Sequence, residues 1–295
     1  MKIKILKRLI CTFILVLTSF SLFSLPIYNL KKDTLPGSGY KLKTVIIDAG
    51  HGQYPPPGVG GHYSRGASGS YSNERDVTLA IALKLQTAIE KELSDVKVVL
   101  TRTTDEDVSL ERRSEIANEN NGDVFISIHC NSLSDKIEYV HGRHIRVPDR
   151  SGKGVLLLVY GFHRTKEEES VIRKKLNDDE GVDESGNGGG DPNDPTTVIL
   201  MNAIKTKYRK QSIHLADLIN NEFVDHDGRH SDGVIEQGVL VLCHSAMPSV
   251  LVETGFINNP DDEAYLNSQA GQDEIVASII RALTNYKKEV EDAAE

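Results

Sequence analysis

The chain has 295 residues, a formal net charge of −9 and 39% apolar residues, a composition typical of soluble globular proteins. The negative charge argues against a protein that binds nucleic acid through a basic face. Three cysteines without a Cys-x-x-Cys spacing are too few for a disulfide framework. The lack of a Cys-x-x-Cys spacing also argues against a metal site built from thiolates. Cys130 and Cys243 are expected to be small buried residues at strand ends.

Residues 1–24 have the pattern of a secretory signal peptide. Basic residues at positions 2, 4, 7 and 8 precede an almost continuous apolar run over residues 9–23. That run is shorter than the ~20 residues of a membrane-spanning helix and fits the apolar core of a signal. We therefore expect a cleaved signal rather than an uncleaved anchor, and export to the periplasm or cell envelope, or secretion. Residues 25–40 are predicted to form a polar linker.

From residue 41 onward the pattern is that of an α/β domain. Apolar β-branched runs predict strands from residue 44 up to His51, over 96–102 and up to His129. Helical spacing of apolar residues predicts a helix over 74–93, and Ser109 is a suitable N-cap for a second helix that ends at 119. Strands alternating with helices indicate a mainly parallel sheet flanked by helices. We assign residues 41–290 to a single catalytic domain.

Residues 134–210 form an insertion in this pattern that could be regulatory. A strand is predicted over 155–160, followed by a heavily charged segment over 164–184. Residues 181–195 are acidic and rich in glycine, which predicts a surface loop rather than a calcium site, because the EF-hand spacing is missing. Beyond the insertion we predict a helix over 211–223, a strand over 239–243 and a closing helix over 275–286.

Four residues in this pattern carry chemistry. His51, His129 and Glu253 each end a predicted strand, and Glu74 lies in the first turn of a predicted helix. Ligands of open α/β sheets gather beyond the carboxyl ends of the strands, so these side chains are expected to converge. His51, Glu74 and His129 can supply three ligands to one Zn²⁺ and leave the fourth position to water. Glu253 is then free to act as general base and afterwards as general acid.

Each of these residues has an ordinary explanation when it is taken alone. A single histidine at a strand end is more often packed than catalytic, and a glutamate in a first helical turn complements the helix dipole. The four together outweigh these explanations. The set of two histidines and one carboxylate also occurs in iron(II) oxygenases, an alternative that the export signal disfavours.

Several motifs resemble the zinc-dependent N-acetylmuramoyl-L-alanine amidases of the amidase-3 type. They occur in the family's order and cover most of residues 43–133 and 211–286. The motifs are Val45-Ile-Ile-Asp-Ala-Gly-His51-Gly52, Asn73-Glu74-Arg75-Asp76-Val77, Val99-Leu-Thr-Arg102, Ser109-Leu-Glu-Arg112 with Ala117-Asn118, Ser127-Ile-His129-Cys-Asn131 and Met247-Pro-Ser-Val-Leu-Val-Glu253-Thr-Gly-Phe-Ile-Asn-Asn-Pro260. Ala49, Gln53 and Cys130 depart from the family's usual residues without altering a ligand.

The resemblance implies a sheet of about six strands, zinc held by His51, Glu74 and His129, and Glu253 as the catalytic glutamate. It also implies hydrolysis of the amide between N-acetylmuramic acid and L-alanine in peptidoglycan, for wall remodelling or daughter-cell separation. A zinc peptidase acting on the stem peptide and a catalytically silent wall-binding module remain alternatives. Some similar amidases carry an inserted helix that an activator protein moves off the zinc. Here residues 164–177 could form such a helix, with Glu167, Glu168 or Glu169 as the plug.

Overall fold

The computed structural model describes residues 41–55, 58–161, 165–180 and 195–293. The predicted signal peptide, the linker and most of the glycine-rich segment lie outside these residues. Among the residues described, no helix is both long and apolar enough to cross a membrane. Residues Lys41–Asp292 form one compact unit.

Eight strands and seven helices make up the described chain. The strands are β1 (Thr44–Ala49), β2 (Lys97–Leu100), β3 (Val124–Asn131), β4 (Lys136–Val140), β5 (Arg143–Val147), β6 (Val155–Tyr160), β7 (Ser231–Gln237) and β8 (Ser249–Phe256). The helices are α1 (Glu74–Glu92), α2 (Leu110–Glu119), α3 (Thr165–Glu180), α4 (Pro195–Asn221), α5 (Leu240–Cys243), α6 (Pro260–Leu266) and α7 (Gln269–Asp292). A π-helical turn, Glu222–His226, extends α4.

A six-stranded sheet in the order β2-β1-β3-β8-β6-β7 forms the centre of the molecule. Strands β2, β1, β3 and β8 are mutually parallel, whereas β6 pairs with β8 in the antiparallel direction and with β7 in parallel. The prediction of a mainly parallel sheet of about six strands is therefore confirmed. We call the edge where β1, β3 and β8 end the carboxyl edge, and the edge where they begin the amino edge.

Helices bury both faces of the sheet, which is why its strands are continuous apolar runs. Alternate residues of β1 point to opposite faces: Val45 and Ile47 pack with apolar residues of α1, α4 and α7, whereas Ile46 packs with those of α2 and α5. The helix predicted over 109–119 begins where expected, because the Ser109 side chain accepts a hydrogen bond from the Arg112 amide at 3.2 Å.

Some predicted elements differ from the structure. Residues 239–243 form the short helix α5 rather than a strand, since a short apolar run does not by itself distinguish a buried strand from a buried helical turn. The helix predicted over 211–223 is the second half of the much longer α4. Strand β7 and the separate hairpin β4–β5 were not predicted, because neither is a continuous apolar run.

The inserted helix α3 lies at the amino edge, far from the residues predicted to bind metal. The Lys175 ammonium donates to the carbonyls of Gly122 (3.5 Å) and Ala246 (3.1 Å), which come shortly before β3 and β8 begin. Along a strand the chain advances about 3.3 Å per residue, so Gly122 is roughly 20 Å from His129. The helix predicted in this segment is present as α3, but it does not cover the carboxyl edge.

The acidic residues of α3 have partners at the amino edge. Glu167 pairs with His244 at 3.3 Å, and Glu169 pairs with Lys205 at 2.6 Å. The expectation that one of residues 167–169 plugs the metal site is therefore wrong for Glu167 and Glu169, and Glu168 is buried in the same helix. The reason is the direction of β6: because this strand is antiparallel to β8, the chain leaves it at the amino edge.

Candidate active site

His51, Glu74 and His129 converge at the carboxyl edge, as their positions in the sequence predicted. Glu74 Oε1 lies 3.1 Å from His51 Nε2 and 3.0 Å from His129 Nδ1. The two imidazole rings meet edge to face with 4.7 Å between their centroids. The three potential ligand atoms all lie within 4.8 Å of one another.

His51 follows β1 in a left-handed backbone conformation, with a φ of 61°, which is uncommon for a residue other than glycine. Its Nδ1 is 2.9 Å from the Ser64 carbonyl oxygen. Because a carbonyl can only accept, Nδ1 donates to it, and Nε2 is the nitrogen that faces Glu74. A Cβ atom at Gly66 would lie 2.7 Å from the His51 ring and 2.6 Å from Glu74 Oε2, so this approach requires glycine.

His129 comes from β3 and packs directly on the backbone that follows β1. A Cβ atom at Gly50 would lie only 2.4 Å from His129 Cε1, so a larger residue would displace the ring. Thr254 of β8 donates its hydroxyl to the His129 carbonyl at 2.8 Å. The backbone after β1 therefore packs on the ring of His129, and β8 holds its main chain.

The Glu74 carboxylate is buried and held by backbone amides as well as by the two histidines. Its Oε1 accepts from the Cys130 amide at 2.9 Å, and its Oε2 accepts from the Ala67 amide at 2.6 Å. Burial alone would raise the pKa of this carboxyl, but the hydrogen bonds and charges of His129 and His51 hold it well below its usual range. Glu74 is thus an anion at the centre of the site.

Glu253 lies opposite His129 in the register of β3 and β8. Burial and the neighbouring charge of Glu74 raise its pKa to about 7, although His129 acts in the opposite direction. Its Oε2 atom is buried, and no hydrogen-bond partner for it is found among the described residues. A carboxyl with this pKa can both accept and release a proton near neutral pH.

Comparison with known proteins identifies the family. The family model described as N-acetylmuramoyl-L-alanine amidase matches residues 45–285. The chain belongs to the N-acetylmuramoyl-L-alanine amidase family. N-acetylmuramoyl-L-alanine amidase AmiA of Escherichia coli K12 is 27% identical over 244 residues, which are 83% of this chain and 76% of the relative.

Solved structures of other amidases have the same fold. The N-acetylmuramoyl-L-alanine amidase AmiC2 of Nostoc punctiforme is 26% identical and aligns with a TM-score of 0.51 over 85% of this chain and 99% of its own. The N-acetylmuramoyl-L-alanine amidase of Clostridium difficile 630 aligns with a TM-score of 0.56 at 23% identity, over 84% of this chain and 97% of its own. The chain is a peptidoglycan hydrolase, as the resemblance implied.

Beneath the site of this amidase lies a buried ion-pair network that the sequence did not reveal. Arg113 donates to Asp48 and Asp107, at 2.7 Å each, and to the carbonyl of His51 at 2.7 Å. The last bond holds the backbone of a predicted metal ligand in its left-handed conformation. Arg112, the arginine included in the amidase motif above, is instead half-exposed and pairs with glutamates of its own helix.

Arg102, the last residue of the motif Val99-Leu-Thr-Arg102, has a structural role. It is buried, and it donates to the carbonyls of Ala49 and Gly50 at 2.8 and 2.9 Å. Arg65 lies over the ring of Tyr54, with 4.6 Å between its Cζ atom and the ring centroid. His62 bonds to Glu111 on the exposed rim.

The two described cysteines are buried and are not bonded to each other, which agrees with their predicted role as small buried residues. Cys243, however, ends helix α5 rather than a strand. His244, the residue after α5, lies at the amino edge, where its carbonyl accepts from Asn118 at 2.9 Å. Cys243, His244 and Glu167 together place three potential metal ligands within 4.8 Å of one another. This group includes a thiol, although the cysteine spacing in the sequence had argued against a thiolate metal site.

Proposed function

We propose that this amidase uses one Zn²⁺ held by His51, Glu74 and His129, and that Glu253 transfers protons during hydrolysis. The reaction is cleavage of the amide between N-acetylmuramic acid and L-alanine. The observation that carries the proposal is the position of Glu74 Oε1, which lies 3.1 and 3.0 Å from one nitrogen of each histidine. Those three atoms belong to three different segments of the chain and meet at one point.

The donor set fits zinc. Ligand bonds of 2.0–2.1 Å in a tetrahedral site place neighbouring ligand atoms about 3.3 Å apart, close to the spacing of these atoms. The Ser64 carbonyl fixes the His51 tautomer that offers Nε2 as a ligand, as second-shell partners of zinc histidines commonly do. Two neutral imidazoles and one carboxylate leave net positive charge on the ion.

When bound, zinc lowers the pKa of coordinated water and polarises the substrate carbonyl. The chain's own residues supply positioning and proton transfer. Glu253 accepts a proton from the attacking water at a carboxylate oxygen, and it delivers that proton to the amide nitrogen as the L-alanine amine leaves. Its position opposite His129 in the register of β3 and β8 places it beside the proposed ligands for both steps.

We propose that the chain acts outside the cytoplasm, in the periplasm or cell envelope, in wall remodelling and daughter-cell separation. The signal-like pattern of residues 1–24 and the location of peptidoglycan support this. Helix α3 lies at the amino edge, so this helix does not have to be withdrawn by an activator before substrate reaches the site.

The test is hydrolysis of purified peptidoglycan by the zinc-loaded protein, with released fragments read by mass spectrometry. We expect free stem peptides that begin with L-alanine, and loss of their release on chelation. Glu253→Gln should lower kcat by about 10²–10⁴-fold and retain one zinc per chain.

The matched control is Glu236→Gln, which removes a carboxylate that pairs with Arg209 on the exposed surface and should leave kcat unchanged. Fragments cleaved between two amino acids would identify a stem-peptide peptidase instead. Full activity of Glu253→Gln would exclude the proton-transfer role.

A further inference from the structure

The hairpin β4–β5 stands at the carboxyl edge beside the active site. It follows β3 after a short connection, and β3 carries His129. Both ends of the hairpin are tied to the loop after β8, because Asn258 Nδ2 donates to the carbonyls of Leu133 and Asp149 at 2.9 Å each. Its base is therefore fixed close to the predicted metal ligands.

The turn of the hairpin is tight. Its two residues, His141 and Gly142, have φ values of 49° and 78°, which are typical of the two-residue turns that match the twist of paired strands. The register pairs Ile137 with Arg146 and Tyr139 with His144. Directly opposed residues share a face, so these four side chains form one face of the hairpin, which we call the Tyr139 face.

The Tyr139 face is open to solvent. Ile137 is 68% exposed and Tyr139 is 69% exposed, the highest values among the large apolar residues of the strands. The Tyr139 and His144 rings are adjacent, with 5.1 Å between their centroids. Neither β4 nor β5 packs extensively on another helix or strand of the described chain.

The isolation and exposure of this hairpin indicate that it binds another molecule. A two-stranded hairpin alone is only marginally stable in water, and exposed apolar side chains grouped on one face commonly mark a binding surface. The charge of the Tyr139 face indicates which partner it is. This face carries the cation Arg146 and no acidic residue, because Lys136, Glu138 and Arg143 lie on the opposite face, and the chain as a whole has a net charge of −9.

We propose that the Tyr139 face binds the peptidoglycan strand next to the bond being cut, with the substrate chemistry resting on the proposed function. Peptidoglycan combines sugar rings, which have apolar C–H faces, with stem peptides that carry free carboxylates. Tyr139 presents a flat aromatic surface to a sugar ring. Arg146 presents a guanidinium that can bind a carboxylate through two parallel hydrogen bonds.

The Tyr139 face therefore binds the polymer and takes no part in cleaving the scissile bond. Its side chains lie on a hairpin outside the group formed by His51, Glu74 and His129. Substrate that is long enough to reach the hairpin gains contacts there, and a short fragment does not. The hairpin should lower KM for intact sacculi and leave turnover of small soluble substrates unaffected.

The test compares the zinc-loaded full chain with the double variant Tyr139→Ala/Arg146→Ser on two substrates. On intact sacculi we expect KM to rise about tenfold, the effect of losing about 1.4 kcal/mol of binding. On a soluble muramoyl-peptide fragment, kcat and KM should be unchanged. Cosedimentation with sacculi, measured in a Glu253→Gln background to prevent hydrolysis, should show the same loss of binding.

The matched control lies on the other face of the same hairpin. Arg143→Ser/Ile145→Ser removes one arginine and one exposed apolar residue, but these side chains point away from the Tyr139 face. It should bind sacculi like the wild type. Equal losses in both double variants, or no loss in either, would overturn the proposal. Absence of hydrolysis by the wild type on the soluble fragment would instead contradict the proposed function, so the two failures can be told apart.

Discussion

Arg113 shows how a single side chain links the stability of this domain to its active site. It is buried together with Asp48 and Asp107, and it also bonds the carbonyl of His51. Burial of a guanidinium is tolerated only when each charge has a partner. The arginine beside it in the sequence, Arg112, faces solvent, so one residue position separates a structural ion pair from a surface one.

Replacing Arg113 by methionine should strongly destabilise the protein, because two buried carboxylates would lose their common partner. We expect the free energy of unfolding to fall by about 3–5 kcal/mol, measured by chemical denaturation. Arg112→Met is the matched control and should change it by less than about 1 kcal/mol. Similar losses in the two variants would show that the buried network contributes no more than a surface pair.

At the scale of elements, the position of α3 follows from the direction of the strand before it. β6 pairs antiparallel with β8 and ends at the amino edge. The helix that follows therefore starts there, and Ile172 packs with Met201 and Ile204 of α4. Charge and length in the sequence predicted a helix in this segment but not the edge of the sheet on which it packs.

The acidic residues of α3 should therefore have no direct effect on hydrolysis. We expect the triple variant Glu167→Ala/Glu168→Ala/Glu169→Ala to keep the kcat/KM of the wild type on peptidoglycan, measured by release of stem peptides. A clear increase would restore the plug hypothesis.

The comparison variant is Glu263→Gln. Glu263 accepts from the backbone amides of residues 70, 71 and 72, and these residues immediately precede α1 with its Glu74. Its loss should loosen the loop beside the site and lower zinc affinity, so the assay has a variant that is expected to respond.

At the scale of the whole molecule, Asp48 joins the central strands to the helix layer. It accepts hydrogen bonds from Thr101 and Ser127 at 2.6 Å each and pairs with Arg113. Burial by itself would raise its pKa, but Arg113 and the two hydroxyl groups outweigh burial and lower it to about 2 from an ordinary value of 3.8. The ionised form of Asp48 is therefore more stable in the folded protein than in the unfolded chain.

This difference predicts loss of stability in acid. The contribution of Asp48 is fully present above its unfolded pKa and is lost as pH falls from 3.8 to about 2. From the size of this shift, about 2 kcal/mol of unfolding free energy should disappear across that range. Denaturation at several pH values should show this slope in the wild type and a shallower one in Asp48→Asn. Equal slopes in the two proteins would contradict the attribution of this loss to Asp48.

The sequence by itself predicted the candidate site residues and determined the central part of the fold. His51, His129 and Glu253 follow apolar β-branched runs whose pattern predicts buried strands, and parallel strands bring their ends to one edge. Glu74 was placed by the helical periodicity of the residues after it. These are local patterns, so they can be read without knowing which segments pack together.

Only the tertiary structure decided the rest, because it depends on contacts between segments distant in sequence. The antiparallel direction of β6 placed α3 at the amino edge and removed it from the strand ends. The exposure of the Tyr139 face and the burial of Arg113 depend on what each element packs against, and a short apolar run such as 239–243 becomes strand or helix according to the space available. Periodicity predicted the long helices and the buried strands, whereas the partners of each element, and the form of the shortest ones, are set by packing.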